Sequence, residues 1–455
     1  MRYIGIQHRV KLTADFEPRP TMVAILEDGK ATQYALDTEQ AELDFVLGKF
    51  PVEFKKVEPT DSFDGILPHH IKWRKPKDGE TPEQFHAART RSAEKSFEVA
   101  EKIPFRYDGL QKGDVVAMTL GGSGDCLAYA LARKGDEVGA SVIRIPSFVL
   151  KKWRAKPAED GPVHFGDEPK KQGKKSVPKS KVDTSGDYIL LTELAAEKPG
   201  IFYPLAARDR DLIVAREAWR ALNESMKARM ACGLRLRQSF IGRIFTNPEG
   251  LFPEGGIEKR YDEVKASDVI MNALETEETK REKDLVNALE KLDIYKKVFK
   301  PIQGVGPKIA ARIIAAIVDI RRFESDAQLK AFCGVHVLSD GRFPRQRRNE
   351  VANWHPDARQ ALYLLAEQFN RRPDSDWGKH LLAVKESLRQ IHPAPTPIKV
   401  TDNDNGGTKT VIRWNKGHIH KTALWRTATH FVEWLHGEWM FIETGERPKK
   451  ARLAA

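Results

Sequence analysis

The chain has 455 residues, a formal charge of +12 and a pI of about 9.3. That gives room for two or three domains and favours a polyanionic partner. No apolar run approaches the ~18 residues of a membrane span and the N-terminus has no signal-peptide profile, so no membrane partner is expected. Cys126, Cys232 and Cys333 are too far apart for zinc spacing or a disulfide framework, which fits a reducing cytoplasm.

Taken in chain order, Arg2–Gln7, Thr21–Leu26 and Ala31–Leu36 predict strands, with a turn at Glu27–Lys30, and Glu39–Leu47 predicts a helix. Residues 51–112 are richer in Pro, Lys and Asp and read as an insertion with a helix at Pro82–Ala100. A strand at Asp114–Thr119 follows, then the turn Gly121–Asp125, a helix through Lys134 and a strand at Ala140–Ile145. Alternating strands and helices imply an α/β sheet. Lys151–Lys181, with Lys151, Lys152, Arg154, Lys174 and Lys175 among Pro, Gly and Ser, reads as a basic loop with little to bury. It is either a solvated linker or a phosphate contact.

Helices dominate the rest. Ile213, Trp219, Leu222, Met226, Met230 and Leu234 form one apolar stripe, and Leu285, Leu289, Leu292 and Val298 or Phe299 form another. Two long helices joined by a turn predict a coiled-coil hairpin over 206–300 and, through it, a homodimer. Gly304-Val-Gly-Pro-Lys308 then leads into a helix at Ile309–Ile320. Gly304 and Gly306 allow a tight turn, and the helix start with Lys308 suits either a phosphate or plain hairpin packing. Two basic clusters follow. One is Arg342, Arg345, Arg347 and Arg348; the other is Lys416, His418, His420, Lys421 and Arg426, beside Trp414 and Trp425. Each is a solvated surface or a nucleic-acid contact. No third ligand lies near His418 and His420, so no metal is expected there.

The first strand with its neighbours resembles RNase H/RuvC-like nucleases, whose two Mg²⁺ ions are bridged by an aspartate at the end of that strand. Here the position is Gln7, a neutral amide and a poor ligand for hard cations. Val115–Leu131, Lys181–Ala195 and Ile302–Phe332 together resemble the DEDD insertion-sequence transposases related to the Piv invertases. The resemblance places their glutamate on Met118 or Thr119 and their paired aspartates on Asp183 and Asp187. Asp125 is the candidate replacement for the glutamate, and Ser339 falls near their nucleophilic serine.

A hairpin followed by a helical domain also resembles the Nop proteins of box C/D ribonucleoproteins. The Tas proteins of TIGR-Tas systems, found in prokaryotes and their viruses, are similar to both groups, and they imply an RNA-guided DNA-binding function. The expected architecture is therefore α/β plus all-α. It comprises an RNase H/RuvC-like domain over 1–205, with the insertion 51–112 and the basic loop 151–181, then the hairpin, then a Nop-like or helix-hairpin-helix domain over 301–455. The expected partners are a guide RNA and matched double-stranded DNA. Binding needs no cofactor, and Mg²⁺ is required only if the acidic site cuts. The alternatives are an active transposase or RuvC-like nuclease, and an RNA scaffold of the Nop kind.

Overall fold

The first strand, β1 (Tyr3–Gln7), pairs antiparallel with β2 (Thr21–Glu27), which pairs antiparallel with β3 (Lys30–Leu36). The structure, a computed structural model, describes residues 1–10, 18–85, 88–91, 96–154, 184, 186–249, 256–338, 341–345, 354–402 and 407–448. They fall into two compact units, Met1–Leu205 and Ala206–Ala455.

In the first unit a helix, α1 (Glu39–Val46), and a smaller sheet intervene before the main sheet resumes. That smaller sheet contains β4 (Phe50–Lys56), β5 (Lys72–Arg74), β6 (Ala88–Arg91) and β7 (Ser96–Asp108). β7 pairs antiparallel with the other three. The main sheet continues through β8 (Val115–Leu120), α2 (Asp125–Val138), β9 (Ser141–Pro146), α3 (Ser147–Arg154), α4 (Asp187–Glu197) and β10 (Tyr203–Pro204). Its order is β10-β9-β8-β1-β2-β3, with β1, β8 and β9 parallel. Apolar side chains of α3 and α4 (Leu150, Leu191, Leu194, Ala195) pack with Ala117 and Ile145 of the sheet. α4 lies so close to β1 that a Cβ at Gly5 would stand 2.0 Å from the Tyr188 carbonyl oxygen, so glycine is required there.

Two expectations fail in this unit. Pro82–Ala100 is not a helix: Pro82–Gln84 makes a single turn, and β6 and β7 follow. Val99 and Ile103 of β7 are buried in the sheet. The basic segment also begins as helix, since Lys151, Lys152 and Arg154 close α3; Lys174 and Lys175 lie outside the described residues.

The second unit opens on α5 (Ala207–Phe245), 39 residues and roughly 58 Å long at helical rise. It turns through α6 (Ile257–Ser267) into α7 (Val269–Leu289). Arg229 meets Glu278 while Gly233 lies against Met271, so α5 and α7 run antiparallel. The stripe is buried only in part. Trp219 and Leu222 are covered, whereas Met230 and Leu234 are exposed. The helices α8 (Pro307–Ile317), α9 (Asp326–Phe332), α10 (Pro356–Asn370), α11 (Asp376–Ile391) and α12 (Lys416–Thr444) then share one core with Leu285, Leu289 and Phe299. This region is not all-α. Between α11 and α12 the strands β11 (Thr396–Asp402) and β12 (Gly407–Arg413) pair antiparallel, as their β-branched residues favour.

Candidate functional site

In open α/β sheets, ligands bind beyond the carboxyl ends of the parallel strands. β1, β8 and β9 end side by side, with Ile6 opposite Met118 and Met118 opposite Arg144. Gln7 closes β1, and its side-chain amide donates to the Thr184 carbonyl oxygen at 2.5 Å. That carbonyl also accepts the Asp187 backbone N–H at 3.1 Å, so Gln7 helps to fix the start of α4. A carboxylate at position 7 would face a carbonyl oxygen with nothing to donate.

Asp125 and Asp187 are each the first residue of a helix, where the partial positive charge of the helix start favours an anion. Both are buried. Each is also met by an arginine. Arg144, itself buried in β9, places Nη1 3.5 Å from Asp125 Oδ1. Arg154 grips Asp187 through both oxygens, Nε to Oδ1 at 2.6 Å and Nη2 to Oδ2 at 2.5 Å. Such a fork satisfies a carboxylate in both geometry and charge. Both aspartates are thus already engaged by a guanidinium group.

A third acid at this edge is equally engaged. Glu42 accepts from Thr21 Oγ1 at 2.5 Å and from Arg9 Nε at 3.0 Å, and Arg9 Nη2 lies 2.8 Å from its other oxygen. His8 Nε2 stands 3.6 Å from Glu42, and its Nδ1 is 3.0 Å from Ser123 Oγ. Burial pushes the His8 pKa down, against the pull of Glu42. Sequence reading missed His8, Arg9, Glu42 and Arg144. Arg144 alone left a signal, a charged residue inside the apolar strand Ser141–Pro146. Asp183 and Ser339 lie outside the described residues.

In the second unit the Gly304–Lys308 turn forms as expected, with Gly304 at φ +95° and Gly306 preceding α8. Lys308, however, points to α7, its Nζ 2.9 Å from Glu282 and 3.8 Å from Glu278. The helix start remains, but its lysine is already neutralised.

The start of α12 concentrates positive charge. Asn415 caps the helix by accepting the His418 N–H at 2.8 Å. Trp414 stacks on His392 with centroids 3.5 Å apart, and His418 meets its edge at 4.8 Å. Burial lowers the His418 pKa, and so do the neighbouring Arg413, Arg345 and His392. Lys416 and Lys421 are exposed on the same helix. Arg345 belongs to the stretch 341–345, which Arg359 secures by donating to the Pro344 carbonyl oxygen at 2.6 Å. Arg359 is itself sandwiched between Trp354 and Trp425, at 4.5 and 4.7 Å. Arg345 and His418 thus come together, with Arg413 and His392 added by the structure. Arg342 is exposed; His420 turns toward Glu367 at 3.9 Å; Arg426 lines a cleft with His430 and Ser387. Arg347 and Arg348 lie outside the described residues.

Residues 296–380 match the sequence pattern of the Transposase IS116/IS110/IS902 family. The match covers less than a fifth of the chain and spans the Gly304–Lys308 turn, α8, α9 and α10. No curated protein matches the chain. No described helix is long and apolar enough to cross a membrane.

Proposed function

We propose that this transposase-related chain binds a guide RNA and uses it to recognise matched double-stranded DNA without cutting it. The match over 296–380 supports the transposase relation. Three antiparallel strands followed by two parallel ones, in the order 3-2-1-8-9, support an RNase H/RuvC-like reading of the first unit. The observation that carries the loss of cutting is the pairing of Asp125 with Arg144 and of Asp187 with Arg154 beside the amide of Gln7. Arginine supplies internally the positive charge that metal ions would bring.

The basic start of α12, with Arg345 and Arg413 beside it, supports an RNA-facing surface. Lysine and arginine contacts to phosphate give affinity without sequence choice, so base pairing by the RNA would carry specificity. Met230, Leu234, Phe245, Val269 and Ile270 are exposed on the hairpin helices and support a homodimer. The test is to sequence RNA that copurifies with the protein. One class of short structured RNA is expected. Replacing Lys416, Lys421 and Arg426 by alanine should make the log–log salt slope of RNA binding shallower by about two units. Absence of RNA, together with sequence-specific DNA binding by the protein alone, would refute the reading.

An active transposase is favoured by one observation, the family match itself. That reading requires Asp187 to leave Arg154 and join Asp183 around Mg²⁺.

A further inference from the structure

Away from the sheet edge, three side chains from separated segments of the first unit converge. Asp44 lies in the last turn of α1, and His69 and His70 end the single turn Pro68–His70. Their ligand-type atoms all lie within 4.8 Å of one another. His70 Nε2 is 2.8 Å and His69 Nε2 3.1 Å from the same oxygen, Asp44 Oδ2. Around a tetrahedral ion with ligand bonds of about 2.0–2.1 Å, neighbouring ligand atoms stand roughly 3.3 Å apart. The two Asp44–histidine sides of the triangle fall short of that by a few tenths of an ångström, and the third is at most 4.8 Å.

The surroundings suit an ion. Gln40, one turn earlier on α1, donates Nε2 to Asp44 Oδ1 at 3.0 Å, while His70 meets Oδ2 and His69 lies between the two oxygens, 3.2 Å from Oδ1 and 3.1 Å from Oδ2. Outer hydrogen bonds of this sort orient ligating carboxylates. Asp44 and His70 are each 3% exposed, whereas the His69 side chain is 40% exposed and opens the cluster to solvent. Tyr107 of β7 has its ring 5.6 Å from that of His70, and its buried hydroxyl has no hydrogen-bond partner. Two imidazoles and a carboxylate select a transition metal over Mg²⁺, which takes oxygen ligands in an octahedron.

We propose that Asp44, His69 and His70 bind one divalent transition-metal ion of the zinc type, tying the loop between β4 and β5 to α1. The competing account is a carboxylate held only by hydrogen bonds. To separate them, the full-length protein is stripped with a chelator and titrated with Zn²⁺, following bound metal by elemental mass spectrometry and thermal unfolding in parallel. One ion per chain is expected, with an unfolding midpoint that rises with free Zn²⁺. Asp44→Asn and His69→Ala should each lose the ion, and Gln40→Ala should weaken it about 10–100-fold. A protein carrying both His418→Ala and His420→Ala should bind it as the parent does. No stoichiometric Zn²⁺ in the parent, or parental affinity in Asp44→Asn and His69→Ala, would overturn the assignment. If Asp44→Asn does not fold, the half-exposed His69→Ala decides.

Discussion

Arg154→Ala removes both charged hydrogen bonds from Asp187, which is 5% exposed. Breaking a fully buried pair costs about 3–5 kcal/mol, because the surviving charge is left without a partner. The Arg154 side chain is 18% exposed. Water would therefore replace part of what is lost, and about 2–3 kcal/mol is expected. The cost should fall on α4, whose first residue is Asp187 and whose register Gln7 also fixes through Thr184. Hydrogen exchange read by mass spectrometry on peptides from α4 measures it directly, as a loss of protection of roughly 30- to 150-fold. Asp187→Asn in the same protein removes the orphaned charge and should restore most of the protection. If Arg154→Ala changes protection less than about threefold, Asp187 is not held as described. If Mg²⁺ raises α4 protection in the parent protein, the carboxylate is a metal ligand and the reasoning fails.

Gln7→Glu should destabilise the first unit by about 1–3 kcal/mol, since the Thr184 carbonyl loses its donor and meets a carboxylate; an unchanged unfolding midpoint would count against this. Gln7→Asp should not create Mg²⁺-dependent cleavage, because Asp125 and Asp187 stay with their arginines. His418 has its pKa lowered from 6.5 by burial and by its cationic neighbours, and RNA phosphates would raise it again. RNA binding should then take up a proton and tighten as pH falls from about 8 to about 6. His418→Gln should flatten that dependence, and a parent profile already flat would remove His418 from the interface. Leu234→Glu should convert a dimer to monomer in sedimentation while leaving the fold intact, since Leu234 is 72% exposed within one chain. A parent protein that sediments as a monomer would refute the dimer.

Elements carried by local periodicity were legible in the sequence. The apolar runs of β1, β2, β8 and β9 and the first part of the α5 stripe fall where apolar spacing puts them, whereas α7 ends at Leu289, short of the expected Leu292 and Val298. The false helix at Pro82–Ala100 has a local cause. Thr81 and Gln84 form a true capping box around Pro82, a helix-start signal, but the chain leaves after one turn because β7 pairs on both sides. The antiparallel pair β11–β12 was there to be read in the Thr, Ile and Val residues of its two strands and the Asn-Gly sequence between them. The candidate site was half legible. Gln7 announced itself by what it is not, but Arg144 and Arg154 reach their aspartates across 19 and 33 residues. Only the fold decides whether such an arginine faces water or an acid. For the same reason His69 and His70 showed no link to Asp44 before the structure placed them together.

The most direct measurement loads the purified protein with its copurifying RNA, adds guide-matched duplex DNA and Mg²⁺, and resolves binding and strand scission in the same samples. The account predicts tight RNA-dependent binding with intact strands, identical in the parent and in Asp187→Ala. Cleavage of matched DNA that disappears in Asp187→Ala would contradict it and make the protein a nuclease.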